Sequence, residues 1–133
     1  MESVETHLPP LPGSSATARA FLRDALKTWD LDGFGEVTEV LTTELVSNVV
    51  RHVGAPMTLR ASRQASSIRI EVDDPSDVPP VVEHPGPLAE RGRGVLLIDS
   101  LASQWGIEHR AEGGKTVWFE IDVSTATDEV HRT

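Results

Sequence analysis

Glu44, Asn48, Arg51 and His52 follow one another at spacings of four, three and one in the stretch Glu44-Leu45-Val46-Ser47-Asn48-Val49-Val50-Arg51-His52. On a helix they share a side. A carboxylate one turn from an amide can take the proton of an attacking hydroxyl or water. The amide oxygen is a neutral ligand suited to Mg²⁺, which keeps several waters and takes few protein ligands plus substrate phosphates. Arg51 adds a cation able to meet a phosphate. The alternative is plainer: a rotated or bent helix would leave these groups in solvent.

Two further segments carry chemistry. Asp74 ends the alternating run Ile68-Arg69-Ile70-Glu71-Val72-Asp73 and shares the parity of Ile68, Ile70 and Val72. A regular strand therefore aims it inward, where a carboxylate can accept from an exocyclic amino group such as that of adenine. The competing reading is a turn, because Asp and Ser around Pro75 are common turn formers. Gly92-Arg93-Gly94 precedes an apolar helix and offers unhindered N–H groups at a positive helix end, a natural phosphate site. Gly114-Lys115-Thr116 is not a P-loop: His109 stands where the first glycine is needed, and a strand follows. His52, His84 and His109 have no spacing with Asp or Glu that makes a zinc site.

The polar residues of the first motif sit in a segment, 36–53, with helical apolar spacing at Val37, Val40, Leu41, Leu45 and Val49. With Val37 at zero and about 100° per residue, Val40, Leu41 and Leu45 fall at roughly 300°, 40° and 80°. Glu44, Asn48, Arg51 and His52 all fall inside the arc that those three span. They interrupt the expected inward face. Buried without partners such groups cost several kcal/mol, so they are expected to line a wet pocket or meet a ligand.

Around this helix the chain reads as a series of short elements. Residues 1–13, with three prolines, form an extended lead-in with room for a short edge strand. Ser14 or Ser15 caps a helix from Ala16 to Trp29 with an apolar stripe at Ala18, Phe21, Leu22, Ala25, Leu26 and Trp29. Gly33 and Gly35 precede the polar-centred helix and Gly54 is placed to end it. Strands are expected at 57–63, 67–73, 103–110 and 115–123, and a helix from Gly92 through Leu101. The five prolines between Pro75 and Arg91 make that stretch a loop of functional length. A single domain at 14–123 and a polar tail at 124–133 complete the organisation. The fold class is α/β: a two-layer sandwich with a mixed, mostly antiparallel sheet and helices on one face.

Composition narrows the function classes. The 133 residues hold no cysteine, so thiolate catalysis, disulfides and cysteine-bound zinc are excluded. A net charge of −9 argues against direct nucleic-acid binding. No apolar run is long enough to span a membrane and no signal peptide is evident, so a cytoplasmic protein without membrane contact is expected.

Taken in order, the motifs resemble the nucleotide-binding boxes of the GHKL ATPase superfamily, whose Bergerat-type fold is the sandwich just described. Glu44-Leu45-Val46-Ser47-Asn48 resembles the N box, Val72-Asp73-Asp74-Pro75-Ser76 the first glycine box, and Gly92-Arg93-Gly94 the second. Gly113-Gly114-Lys115-Thr116-Val117-Trp118 and the lead-in Ala18-Arg19-Ala20-Phe21-Leu22-Arg23 are similar to the small anti-sigma factors with serine-kinase activity. The resemblance covers about residues 8–123. It implies ATP and Mg²⁺ as cofactors, Glu44 as general base and Asn48 as the Mg²⁺ ligand. It also implies Asp74 on the adenine amino group, and Arg51, His52, Ser76, Gly92, Arg93, Gly94, Val95 and Thr116 around the nucleotide. The implied reaction moves the γ-phosphate to a serine of a STAS-domain anti-anti-sigma protein, and the implied partners are that protein and a sigma factor.

The sequence departs from the superfamily at Ser76, where many members have glycine, and in its short, proline-rich lid and abbreviated second glycine box. A non-catalytic module of the same fold, binding nucleotide or independent of it and sequestering a regulator, is therefore the alternative. Simple ATP hydrolysis linked to a clamp is a third. Arg19, Arg23 and Lys27 recur at i, i+4 and i+8 as a basic stripe fit for an acidic partner, or as a solvated face. Trp118, opposite in parity to Val117 and Phe119, points to the uncovered sheet face, where it would support a homodimer.

Overall fold

Among the described residues, apolar alternation and helical periodicity resolve into five strands and two long helices. The computed structural model describes residues 2–78 and 101–124. The segment holding Gly92, Arg93, Gly94 and Val95, the rest of the expected third helix up to residue 100, and most of the proline-rich loop lie outside the described residues. The elements are β1 (Glu2–Leu8), α1 (Ser14–Thr28), a 3₁₀ turn (Asp32–Phe34), α2 (Gly35–His52), β2 (Met57–Arg63), β3 (Ser67–Asp74), β4 (Gln104–His109) and β5 (Lys115–Asp122). The strands form one sheet in the order β1-β2-β3-β5-β4. Every pairing among the described residues is antiparallel.

Sheet and helices share one core. Leu59, Ile68, Ile70, Val72, Phe119 and Ile121 face Leu22 and Leu26 of α1 and Leu41, Leu45 and Val46 of α2, all buried. Each such side chain removed from water contributes about 1.5–3 kcal/mol. The lead-in supplies the edge strand β1, whose Glu2 carboxylate accepts from the Trp29 indole at 2.7 Å. Arg63 of β2 donates to the Trp29 carbonyl at 2.6 Å.

Two local expectations are corrected. The serines do not cap α1: the turn from Pro9 to Gly13 feeds the chain in early, so both lie inside the first turn and Gly13 takes the cap position. The Ser14 hydroxyl instead donates to the Pro9 carbonyl at 2.6 Å, and that of Ser15 meets the Ser47 hydroxyl of α2 at 3.2 Å. The second correction is larger. The buried face of α2 is Thr38, Leu41, Thr42, Leu45, Val46 and Val49, centred at about 110° on the wheel above. Val40, expected inside, is 41% exposed. Threonine counts as apolar here because its hydroxyl can be satisfied by its own helix, as Thr38 does by donating to the Phe34 carbonyl at 2.7 Å. The helix therefore presents its polar residues along a flank rather than toward the centre of the core. Gly54 does end α2 as its position predicts: its φ of 68° is left-handed, and its N–H reaches the Val49 carbonyl at 2.8 Å.

The far face of the sheet is a lattice of charge. Arg69 reaches Glu71, Glu108 and Glu120 at 3.2, 3.3 and 3.0 Å and lies 3.9 Å from the centre of the Trp118 ring. Trp118 is on the face that parity predicts, half-buried, with this guanidinium over its ring and Gly106 behind it. A Cβ on Gly106 would sit 2.8 Å from the indole.

Candidate functional site

The last residues of β3 point opposite ways. Asp73 pairs with Thr116 and Asp74 with Lys115 across the β3–β5 ladder. Asp73 faces the charged side of the sheet and is fully engaged. Its Oδ1 accepts from the Thr116 hydroxyl at 2.6 Å, and its Oδ2 from Arg60 at 3.1 Å and Arg110 at 3.0 Å. Burial works against the charge of Arg60, but its hydrogen bonds with Glu71 and Asp73 outweigh that and raise its pKa. Burial likewise opposes Arg69, and its hydrogen bonds with Glu120 and Glu71 win. Both stay cationic and hold this side of the sheet rigid.

Asp74 faces the helices, as alternation predicts. Its Oδ1 accepts from the Ser76 N–H at 2.8 Å and from Lys115 Nζ at 3.0 Å. Lys115 also donates to the Ser76 carbonyl at 3.4 Å. The turn reading and the inward reading of Asp74 are thus both correct, since one carboxylate oxygen makes the turn and the other does not. Asp74 Oδ2 is buried with no hydrogen-bond partner among the described residues. The side chains of Asp74 and Lys115 are 1% and 3% exposed. They close one end of a cavity of about 40 Å³ lined also by Asn48, His52, Ser76 and Val78. That is room for water molecules and well below a ligand pocket of about 300–1,000 Å³. A planar ring would need this space to widen.

Asn48 and Glu44, both half-buried, carry the α2 contribution. Neither forms a hydrogen bond or ion pair among the described residues. Asn48 borders the Asp74 cavity. Glu44, one turn earlier, borders a wide groove of about 850 Å³ between α1 and α2. Two arginines of that groove are already engaged, Arg23 with Glu39 at 2.7 Å and Arg19 with the Thr43 hydroxyl at 3.2 Å. The groove is the larger concavity, but of the two, among the described residues, the smaller cavity encloses the unpartnered buried group. His52 reaches the cavity rim, while Arg51 is exposed and lines neither space. An amide oxygen beside an unpaired carboxylate suits a hydrated Mg²⁺ that takes few protein ligands. Among the described residues no cluster of three His, Asp or Glu forms a metal cage.

Thr116, expected near the base, lies instead on the far face, bound to Asp73. Lys115 takes the inward position because it shares the parity of Val117, Phe119 and Ile121. That signal was present in the alternation of the last strand. Asp77 was also missed: its Oδ1 accepts from the Gly114 N–H at 2.8 Å and ties the start of the proline-rich segment to the β4–β5 hairpin. Gly114 has φ +87°, and a Cβ there would collide with the Asp74 carbonyl. Gly114→Ala is therefore expected to cost at least about 2 kcal/mol, from left-handed strain and displacement of Asp74. Urea unfolding checks this, and a loss under about 0.5 kcal/mol would show that the hairpin relaxes freely.

The family model of the histidine kinase-like ATPase domain matches residues 8–121. The chain belongs to that family. This histidine kinase-like ATPase domain is 39% identical over 75 residues to an uncharacterised protein of Streptomyces coelicolor, covering 53% of this chain and 71% of that one. The crystal structure of the RsbU and RsbW domains of a Mycobacterium tuberculosis protein shares its fold with a TM-score of 0.68 at 19% identity, over 92% of this chain. The domain spans about a third of that longer chain, 32%. The α/β sandwich expected from sequence is the fold of this family. No helix among the described residues is long and apolar enough to cross a membrane.

Proposed function

We propose that the protein is a Mg-ATP-binding regulator of the anti-sigma type that transfers the γ-phosphate of ATP to a serine of a STAS-domain partner. The observation that carries the ATP reading is the buried, unpartnered Oδ2 of Asp74 in a cavity bordered by Asn48. A carboxylate oxygen in such a place calls for a donor, and the amino group of adenine is one. Asn48 would hold Mg²⁺, which when bound neutralises charge on the triphosphate. Glu44 would accept the proton of the incoming serine hydroxyl. Phosphoryl transfer asks mainly for positioning and charge neutralisation, so this small set of residues suffices. Gly92, Arg93, Gly94 and Val95 remain the proposed phosphate contacts. Arg19 and Arg23 are the proposed partner contacts, on the rim of the groove that Glu44 also lines. In this reading Glu44 would face the incoming protein and Asn48 the nucleotide, since the two border different spaces.

Calorimetry tests the reading directly. The intact chain is expected to bind Mg-ATP, and Asp74→Asn to bind it at least about tenfold more weakly, by loss of a charge-assisted hydrogen bond. Melting followed in parallel shows whether the variant is folded. Absence of both heat and thermal shift across millimolar Mg-ATP would leave the second reading, a nucleotide-independent sequestering module. Ser76, whose side chain occupies space that glycine would leave open, is the residue favouring that alternative.

A further inference from the structure

The Asp74–Lys115 pair is more than a buried salt bridge. Asp74 Oδ1 is saturated by the Ser76 N–H and by Lys115, while Oδ2 has no partner among the described residues. Lys115 Nζ carries three protons, and its bonds to Asp74 and the Ser76 carbonyl use two. One acceptor and one donor are thus left side by side on the cavity wall. A ligand edge that matches must offer an N–H next to an acceptor. Because only one carboxylate oxygen is free, a pair of parallel N–H groups, such as the N1–H and 2-amino group of guanine, cannot be taken bidentately. An exocyclic amino group beside a bare ring nitrogen fits, as in adenine.

We propose that Lys115 is a specificity-determining residue that donates to a ring nitrogen flanking the amino group held by Asp74 Oδ2. This rests on the nucleotide reading above and adds a direct cationic contact to the base. The same contact discriminates against a 6-oxo purine, which would turn a carbonyl oxygen toward Asp74. In the ligand-free state the ammonium keeps Asp74 paired, and Lys115 forms part of the cavity wall. Binding therefore asks for a small displacement of Lys115, not for breaking the pair.

The test is atomic substitution in the ligand. The intact protein is titrated calorimetrically with the Mg complexes of ATP, 1-deaza-ATP and 7-deaza-ATP, and the series is repeated on Lys115→Met and Lys115→Gln. One deaza analogue is expected to bind the unaltered protein about tenfold or more weakly than ATP, as for a lost hydrogen bond to a charged group. On Lys115→Met that analogue and ATP are expected to bind alike. The wild-type series is informative even if Lys115→Met fails to fold, and Lys115→Gln supplies a neutral donor of similar length. Equal affinity of all three ligands for the unaltered protein overturns the proposal while leaving ATP binding intact, as does unchanged discrimination in a folded Lys115 variant. Failure of ATP itself to bind overturns both this inference and the reading on which it rests.

Discussion

Lys115→Met is expected to destabilise the ligand-free protein by about 3–5 kcal/mol, because it strands a buried carboxylate. The two side chains are 3% and 1% exposed and 3.0 Å apart, so bulk solvent does not reach the carboxylate, and a neutral water in the adjoining cavity cannot supply the ammonium's charge. Methionine keeps most of the apolar stem of lysine and removes the ammonium, with its bonds to Asp74 and to the Ser76 carbonyl. The physical claim is that the loss comes from the unpaired Asp74 and not from packing. Adding Asp74→Leu to Lys115→Met is accordingly expected to recover most of the stability, since a buried ion pair replaced whole is often neutral or better. Urea unfolding at neutral pH of the two single variants and the double closes the cycle. A single-variant loss below about 1 kcal/mol would mean that the pair behaves as a surface bridge.

Glu44→Ala is expected to lower phosphotransfer to a cognate serine by about 10²–10⁴-fold, the usual worth of a positioned general base. Its Mg-ATP affinity should be unchanged, because Glu44 borders the α1–α2 groove rather than the Asp74 cavity. Stability should shift by less than about 0.5 kcal/mol, as for a half-exposed residue without partners. Labelled ATP incubated with the protein and a STAS-domain partner reads the first quantity, calorimetry the second and melting the third. Phosphorylation at the normal rate would remove Glu44 from the role of base. Equal loss of ATP binding and transfer would instead assign it to the nucleotide.

The two outcomes bear on different parts of one wall. Asp74 and Lys115 are set by the register of β3 and β5, which is shared by five paired strands and hard to shift. Glu44 and Asn48 are set by the rotation of α2, which depends on how two threonines and four branched aliphatics settle on the sheet. A rotation of one residue would move Glu44 and Asn48 together by about 100°, so the helix seat governs both candidate roles at once.

The alternating residues of β3 determined, without any coordinates, that Asp74 shares a face with Ile68, Ile70 and Val72, because side chains in a strand have period two and a slip of one residue would expose the whole set. The spacing from Val37 to Val49 likewise determined a helix, and the order of its motifs with Asp74 pointed to the family. Tertiary structure decided the azimuth of that helix. Valines lie on several sides of α2, and two threonines, Thr38 with its hydroxyl bonded to the Phe34 carbonyl and Thr42, lie on its buried face, so hydrophobicity alone assigns the wrong centre and misses that Arg51 turns outward. It also decided which member of the Lys115-Thr116 pair enters the cavity. Parity was readable, but a lysine reads as a surface residue until a buried carboxylate directly across the ladder is seen to neutralise it. Charge burial depends on a partner 41 positions away in the chain, and only the fold brings that partner near.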